Sequence, residues 1–232
     1  MSNTPTILLV HGAWHGAWCW DAVRALLEAK GRTVVAIDLP TVHAPNKAQL
    51  DLADDAKAVR DAVDAIDGPV VVVAHSYGGV PTTQGLAGAA NVAHVVYIAA
   101  FALDAGESLL GAVGGVPPTW WMIDGALTTA GNPAEPAESL FFNDLPADVA
   151  AANVAKLLSQ ATKPFSDVVT EVAWKAIPST YVITERDAIF PLFAQEALSG
   201  RAGSTVHRFD TGHSPFLSQP EATAAIIDAA GR

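Results

Sequence analysis

Three side chains, far apart along the chain, have the types and the order that acyl transfer to a serine requires: Ser76, Asp187 and His213. A serine hydroxyl is a weak nucleophile at neutral pH. It needs a base to take its proton, an acid to orient that base, and donors for the developing oxyanion. Ser76 lies in Ala74-His75-Ser76-Tyr77-Gly78-Gly79, directly after the apolar run Val70–Val73 and before a helix-compatible stretch. That is the strand–turn–helix context of a nucleophile elbow, with Ala74 where the usual first glycine would be. Alanine is the smallest alternative, and Gly78 and Gly79 keep the other side of the turn small.

If the order is serine, acid, histidine, the base sits on a loop after the last strand. His213, in Asp210-Thr211-Gly212-His213-Ser214-Pro215, is the only one of the seven histidines in that place. The acid follows the preceding strand, where Thr184-Glu185-Arg186-Asp187 leads out of Thr180–Thr184. Asp187 is preferred to Glu185, whose longer side chain and earlier position fit less well. Asp104 competes, because some hydrolases carry their acid after the strand that here ends near Ala99; Asp210 belongs to a strand exit. A surface aspartate paired with Arg186 is the plain structural alternative for Asp187. The oxyanion needs two backbone donors. The Tyr77 amide follows the nucleophile, and the Ala13 amide lies in the loop His11-Gly12-Ala13-Trp14-His15-Gly16-Ala17-Trp18 after the first strand.

The elements that must position these groups alternate. Strand-like runs occur at Thr6–Val10, Thr33–Ile37, Val70–Ala74, His94–Ala99, Thr180–Thr184 and Thr205–Phe209, all short and mostly apolar, as for strands buried on both faces. Helical patterns lie between them. Trp20–Lys30 ends at Gly31, and Pro220-Glu221 starts the last helix. From Gln49 to Asp67, Leu52, Ala56, Val59, Val63 and Ile66 form one apolar face and charged residues the other. The fold class is therefore α/β, with about six mostly parallel strands flanked by helices. The interval 104–178 has no good strand but carries Trp120, Trp121, Phe141, Phe142, Phe165 and Trp174. A connection this long with its own apolar residues is a structured insertion. We expect a helical cap over 104–178, inserted in a core of 1–103 and 179–232.

Composition narrows the function classes. The chain has 232 residues, half of them hydrophobic and 16% charged, enough for one domain with a buried core. A net charge of −11 disfavours nucleic acid and anionic membrane surfaces. Cys19 is the only cysteine, so an intramolecular disulfide and a cysteine-based zinc site are excluded. Met1–Pro5 has no positive n-region, and the following apolar run is too short for a signal peptide or a membrane span. A cytoplasmic location is expected. His11 and His15 lie four apart, but in a glycine-rich turn, so no metal is expected and buried, hydrogen-bonded histidines are preferred. Trp14, Trp18 and Trp20 are read as packing.

Leu8–Trp20, the Ala-His-Ser-Tyr-Gly-Gly elbow and Thr184–Phe190 together resemble the plant methylesterase and hydroxynitrile lyase family, with its bacterial esterase relatives, in the α/β-hydrolase superfamily. The resemblance implies an α/β-hydrolase fold with a compact six-stranded core. It also implies Ser76, Asp187 and His213 as the triad and Ala13 and Tyr77 as oxyanion donors. The lyases resemble one another in a threonine after the first-strand histidine and a lysine after the catalytic histidine. This chain has Gly12 and Ser214, and without the lysine a departing cyanide has no cation to receive it.

The expected function is a cofactor-free, metal-free serine carboxylesterase acting on a small, uncharged, hydrophobic ester. Gly12, Trp120 and Trp121 are expected near the substrate, although the two tryptophans fit an ordinary cap core equally well. Alternatives are a hydroxynitrile lyase, a lactone, thioester or carbon–carbon hydrolase, and a non-catalytic small-ligand receptor. A homodimer is left open. Dehalogenase and epoxide hydrolase readings need an aspartate nucleophile, which Ser76 replaces.

Overall fold

The structure, a computed structural model, describes residues 4–231. Of the N-terminal stretch Met1–Pro5, residues 1–3 lie outside the described residues. The strands run in order β1 (Thr6–Val10), β2 (Val34–Ile37), β3 (Val70–His75) and β4 (Val92–Ile98). The inserted segment then contributes β5 (Trp121–Asp124), β6 (Leu127–Ala130) and β7 (Gln160–Ala161), before β8 (Ser179–Thr184) and β9 (Thr205–Phe209). Six of these form one sheet in the order β2-β1-β3-β4-β8-β9, every neighbouring pair parallel. The expected α/β architecture and its six core strands are present, with ends within a residue or two of those read from the sequence.

The run of valines in β3 explains its place. All six of its residues are buried, because helices cover both faces of a parallel sheet. Alternate side chains serve opposite faces. Leu8, Val10, Val72 and Ala74 pack on one side with Val59 and Val63 of the helix Leu52–Asp64. Ile7, Leu9, Val71 and Val73 pack on the other with Val23, Leu27 and Ile227, from the helices Asp21–Ala29 and Pro220–Ala229. The helix Leu52–Asp64 starts where Asp51 caps it, in a reciprocal capping box with Asp54. One strand departs from the expectation of burial on both faces. β9 is the sheet edge, and Thr205, Val206, His207 and Arg208 are exposed.

The inserted segment also corrects the sequence reading, which expected helices there and no strand. β5, β6 and β7 form a separate antiparallel sheet, accompanied by short helices such as Ala147–Val154. β5 and β6 have four residues each and β7 has two, too short to carry a period-2 pattern. A local signal was nevertheless present: Asp124-Gly125 precedes Ala126, and Gly125 has φ +59°, the left-handed geometry of a tight hairpin loop. Among the described residues, no helix is long and apolar enough to cross a membrane.

Leu8, fully buried in the second strand from one edge of the sheet, tests the packing directly. Leu8→Ala should lower unfolding stability by about 2–5 kcal/mol, read from the urea midpoint at unchanged slope.

Candidate active site

A parallel sheet delivers all its strand carboxyl ends to one edge, and the candidate residues lie there. Ser76 follows β3 directly, opening a short 3-10 turn (Ser76–Gly78) that runs into the helix Gly79–Gly85. Its φ is +52°, a left-handed conformation that costs a non-glycine residue on the order of 1–3 kcal/mol. The surrounding packing enforces it. A Cβ at Gly78 would collide with the His11 carbonyl oxygen, so only glycine allows the turn to press against β1. Ala74, the departure from the usual elbow, is fully buried between Val10 and Tyr97 of the neighbouring strands, and its methyl is accommodated.

The carboxylate and the imidazole meet because β8 and β9 are neighbours. Their ladder extends past the strand ends, with Glu185 N–H donating to Phe209 O at 2.9 Å and Arg186 N–H to Thr211 O at 2.9 Å. The next residues are therefore juxtaposed. His213 Nδ1 donates to Asp187 Oδ2 at 2.6 Å, with both side chains buried. Three further donors fix the carboxylate: Thr184 Oγ1 on Oδ2 at 2.8 Å, and the Ile189 and Phe190 amides on Oδ1 at 3.0 and 2.9 Å. His213 is held from behind as well, since His75 Nε2 donates to its carbonyl at 2.9 Å. His213 Nε2 is buried and makes no hydrogen bond, and His213 lines the same cavity as Ser76.

The rival acids lie elsewhere. Asp104 is half-buried and bonded to Lys175 at 2.5 Å, which holds its carboxyl below the ordinary range. Glu185 pairs with Arg208 at 3.3 Å. The surface aspartate paired with Arg186 is Asp210, at 2.7 Å, and not Asp187.

The loop after β1 is built on neutral histidines. Burial pushes the His11 imidazole down to about 4 and that of His15 to about 3. His11 Nε2 accepts from the Leu39 amide at 2.9 Å, which leaves Nδ1 protonated to donate to Gly12 O at 2.7 Å. A trans peptide aims its C=O and N–H in opposite directions, so this bond sets the direction of the Ala13 N–H. His15 Nδ1 donates to Ala13 O at 2.7 Å. The expected buried, hydrogen-bonded histidines are thus observed. Among the described residues one trio, His11, Asp38 and His43, brings potential ligand atoms within 4.8 Å of one another. Both ring nitrogens of His11 are already engaged, and His43 Nε2 donates to His15 O at 3.0 Å.

Ala13, Ser76, Tyr77 and His213 share a cavity of about 450 Å³ with Trp120 and Trp121. Gly12, also expected near substrate, does not line it; a Cβ there would lie 2.7 Å from His75 Nδ1 and 2.9 Å from Ser76 Cβ. Its absence of a side chain sets the spacing between the loop and the elbow. Trp14, read as packing only, both packs and lines the cavity, with its backbone at φ +61°. The sequence reading also missed Phe101 and Phe190, stacked with ring centres 4.2 Å apart, and Phe165. Among the described residues, no Asp, Glu, Lys or Arg lines this cavity.

The inserted segment also reaches the loops that carry Asp187 and His213. Asn143 Nδ2 donates to Arg186 O at 3.0 Å, and Asp144 Oδ2 accepts from the Gly212 amide at 2.8 Å. Beneath the elbow, the Tyr77 hydroxyl donates to the buried Asp55 at 2.7 Å. Burial pushes the Asp55 carboxyl up to about 6 despite its hydrogen bonds from Thr41 and Tyr77. A raised carboxyl in the folded state means that folding favours its protonated form, so stability rises as pH falls through 6. Wild type should therefore lose about 1 kcal/mol more stability than Asp55→Asn between pH 5 and 7.5, measured by urea unfolding.

Comparison with known proteins follows the same lines. The profile of the Alpha/beta hydrolase family matches residues 7–226. A probable hydrolase from a Phoma species is 31% identical over 239 residues, covering 96% of each chain. Methylesterase 7 of Arabidopsis thaliana is 27% identical, covering 97% of this chain and 96% of its own. Among solved structures, a pyrethroid hydrolase superposes with a TM-score of 0.81 at 25% identity, covering 97% of this chain and 96% of its own.

Proposed function

This chain belongs to the alpha/beta hydrolase family, and from that premise we propose that it is a serine carboxylesterase acting on small, uncharged, apolar esters through an acyl-enzyme. The observation that carries the reading is the buried 2.6 Å bond from His213 to Asp187, on a histidine whose other nitrogen is unengaged and which shares a cavity with Ser76.

In this mechanism Ser76 Oγ attacks the ester carbonyl while His213 Nε2 takes its proton, and Asp187 steadies the imidazolium that forms. Ser76 Oγ makes no hydrogen bond to His213 Nε2; such contacts commonly tighten only with substrate. The Ala13 and Tyr77 amides receive the oxyanion, each donor contributing about 3–4 kcal/mol of transition-state stabilisation. His213 returns its proton to the departing alcohol and then activates water to release the acid. The aromatic walls favour an apolar substrate. A charged one would lose its hydration against a lining that offers no counter-charge.

Two observations favour hydrolysis over cyanohydrin cleavage. The Cβ of a threonine at Gly12 would crowd His75 and Ser76 at 2.7 and 2.9 Å. Ser214, directly after His213, is fully buried and carries no charge for a departing cyanide. The name of the Arabidopsis relative, a methylesterase, supports the same choice.

Ser76→Ala should reduce kcat for p-nitrophenyl acetate by at least about 10³-fold, with an unchanged circular dichroism spectrum. Equal activity in the variant would sink the mechanism. Across a panel of p-nitrophenyl esters matched in size, neutral acyl groups should exceed carboxylate-bearing ones at least about tenfold in kcat/KM. Mandelonitrile should not be cleaved.

A further inference from the structure

We propose that Gln160, contributed by the inserted segment, is a positioning residue for the oxyanion pocket, holding the Ala13-Trp14 loop through a buried hydrogen-bond chain anchored on Asp55. The inference rests on the esterase reading, since it needs Ala13 and Tyr77 to receive an oxyanion.

The chain is continuous and has a direction. Asp55 is fully buried in the first turn of the helix Leu52–Asp64. As a carboxylate it can only accept. Oδ1 takes the Thr41 amide at 3.0 Å, and Oδ2 takes the Thr41 hydroxyl at 2.6 Å and the Tyr77 hydroxyl at 2.7 Å. The Thr41 proton being spent on Asp55, its oxygen can only accept from the next group, and Gln160 Nε2 donates to it at 3.1 Å. That orients the Gln160 amide so that its Oε1 faces the Trp14 amide, which donates to it at 3.0 Å. Gln160 is itself fully buried in β7.

The two ends of this chain are the two residues that flank or supply the oxyanion donors. Tyr77 carries one donor on its own backbone. Trp14 directly follows Ala13, which carries the other, and sits at φ +61°, a conformation that needs an external restraint. Two further bonds tie Trp14 to the inserted segment: its indole N–H donates to Thr128 O at 3.1 Å, and its carbonyl accepts from the Leu158 amide at 2.9 Å. Gln160 is the one side chain among these that bonds the loop at one end and, at the other, the Thr41 hydroxyl that is itself bonded to the core carboxylate. The inserted segment thus does more than wall the cavity. It sets the geometry of a peptide whose neighbour stabilises the transition state, an effect expected in kcat and not in ground-state binding.

The test uses Gln160→Met, which keeps length and removes both hydrogen bonds, and Thr41→Val, which removes only the hydroxyl that orients the amide. Each is assayed at pH 8 on p-nitrophenyl butyrate, together with the affinity of phenylboronic acid as a tetrahedral adduct on Ser76. Folding is checked by thermal melting. We expect Gln160→Met to lower kcat about tenfold or more with KM within threefold, and to weaken the boronic acid by a similar factor. Thr41→Val should lower both in the same direction by about threefold. If both folded variants keep kcat and boronic acid affinity within a factor of 1.5 of wild type, the proposal is overturned while Ser76-dependent hydrolysis stands. A change in KM alone, with adduct affinity unchanged, also overturns it, because Gln160 would then only shape the cavity. Wild type that hydrolyses no ester would overturn the esterase reading and this inference together.

Discussion

The buried hydrogen bond between His213 and Asp187 depends on the register of two parallel strands, and the rest of the site depends on that bond. Removing two polar groups from water is costly unless every remaining bonding site is filled. Here the carboxylate has four donors, from His213, Thr184, Ile189 and Phe190. Three of those donors come from the end of β8 and the turn after it and the fourth, His213, from the loop after β9, so the carboxylate is held by the fold and not by chance contact. The same pairing leaves the second imidazole nitrogen of His213 unengaged at the edge of the cavity that Ser76 enters.

The sheet supplies positions, whereas the inserted segment supplies enclosure and restraint. Its aromatic residues pack on Trp14, with Phe165 stacked at 5.5 Å and Trp120 and Trp121 edge-on at 5.5 and 5.7 Å. Asn143 and Asp144 bond the backbone just before Asp187 and just before His213, and Gln160 bonds the backbone just after Ala13. The inserted segment therefore bonds the three loops that carry Ala13, Asp187 and His213. Such restraint is what low reorganisation at the transition state demands. The strained backbones of Ser76 and Trp14 are consistent with it, since strained conformations persist only where the surroundings over-determine them.

Most of the core was legible because its signals are local and repeated. The valine run of β3, the apolar face of Leu52–Asp64 and the glycines after Ser76 each report their structure within a few residues. The pairing of Asp187 with His213 was expected from the order of the strands, although only the extended β8–β9 ladder shows why they touch. What was missed has little or no such local signature. The edge exposure of β9 depends on which strands lie beside it, and the four-residue strands of the hairpin in the insertion are too short to display periodicity, leaving only the Asp124-Gly125 turn as a signal. Asp55 read as one charge on a solvated helix face, yet it is buried. Its partner Thr41 lies 14 residues away in sequence, and Gln160, which bonds Thr41, lies 119 residues from Thr41; only the folded chain unites them.

The central claim is that a single serine, made nucleophilic by His213 and Asp187, forms a covalent acyl-enzyme. An organophosphonate carrying a fluoride leaving group captures such a serine directly. Intact-mass analysis followed by peptide mapping should show one adduct per chain, located on Ser76, with labelling much slower in His213→Ala and loss of esterase activity in step with label. A fully active protein that takes no label, or one labelled at another residue while Ser76 stays free, would contradict the account.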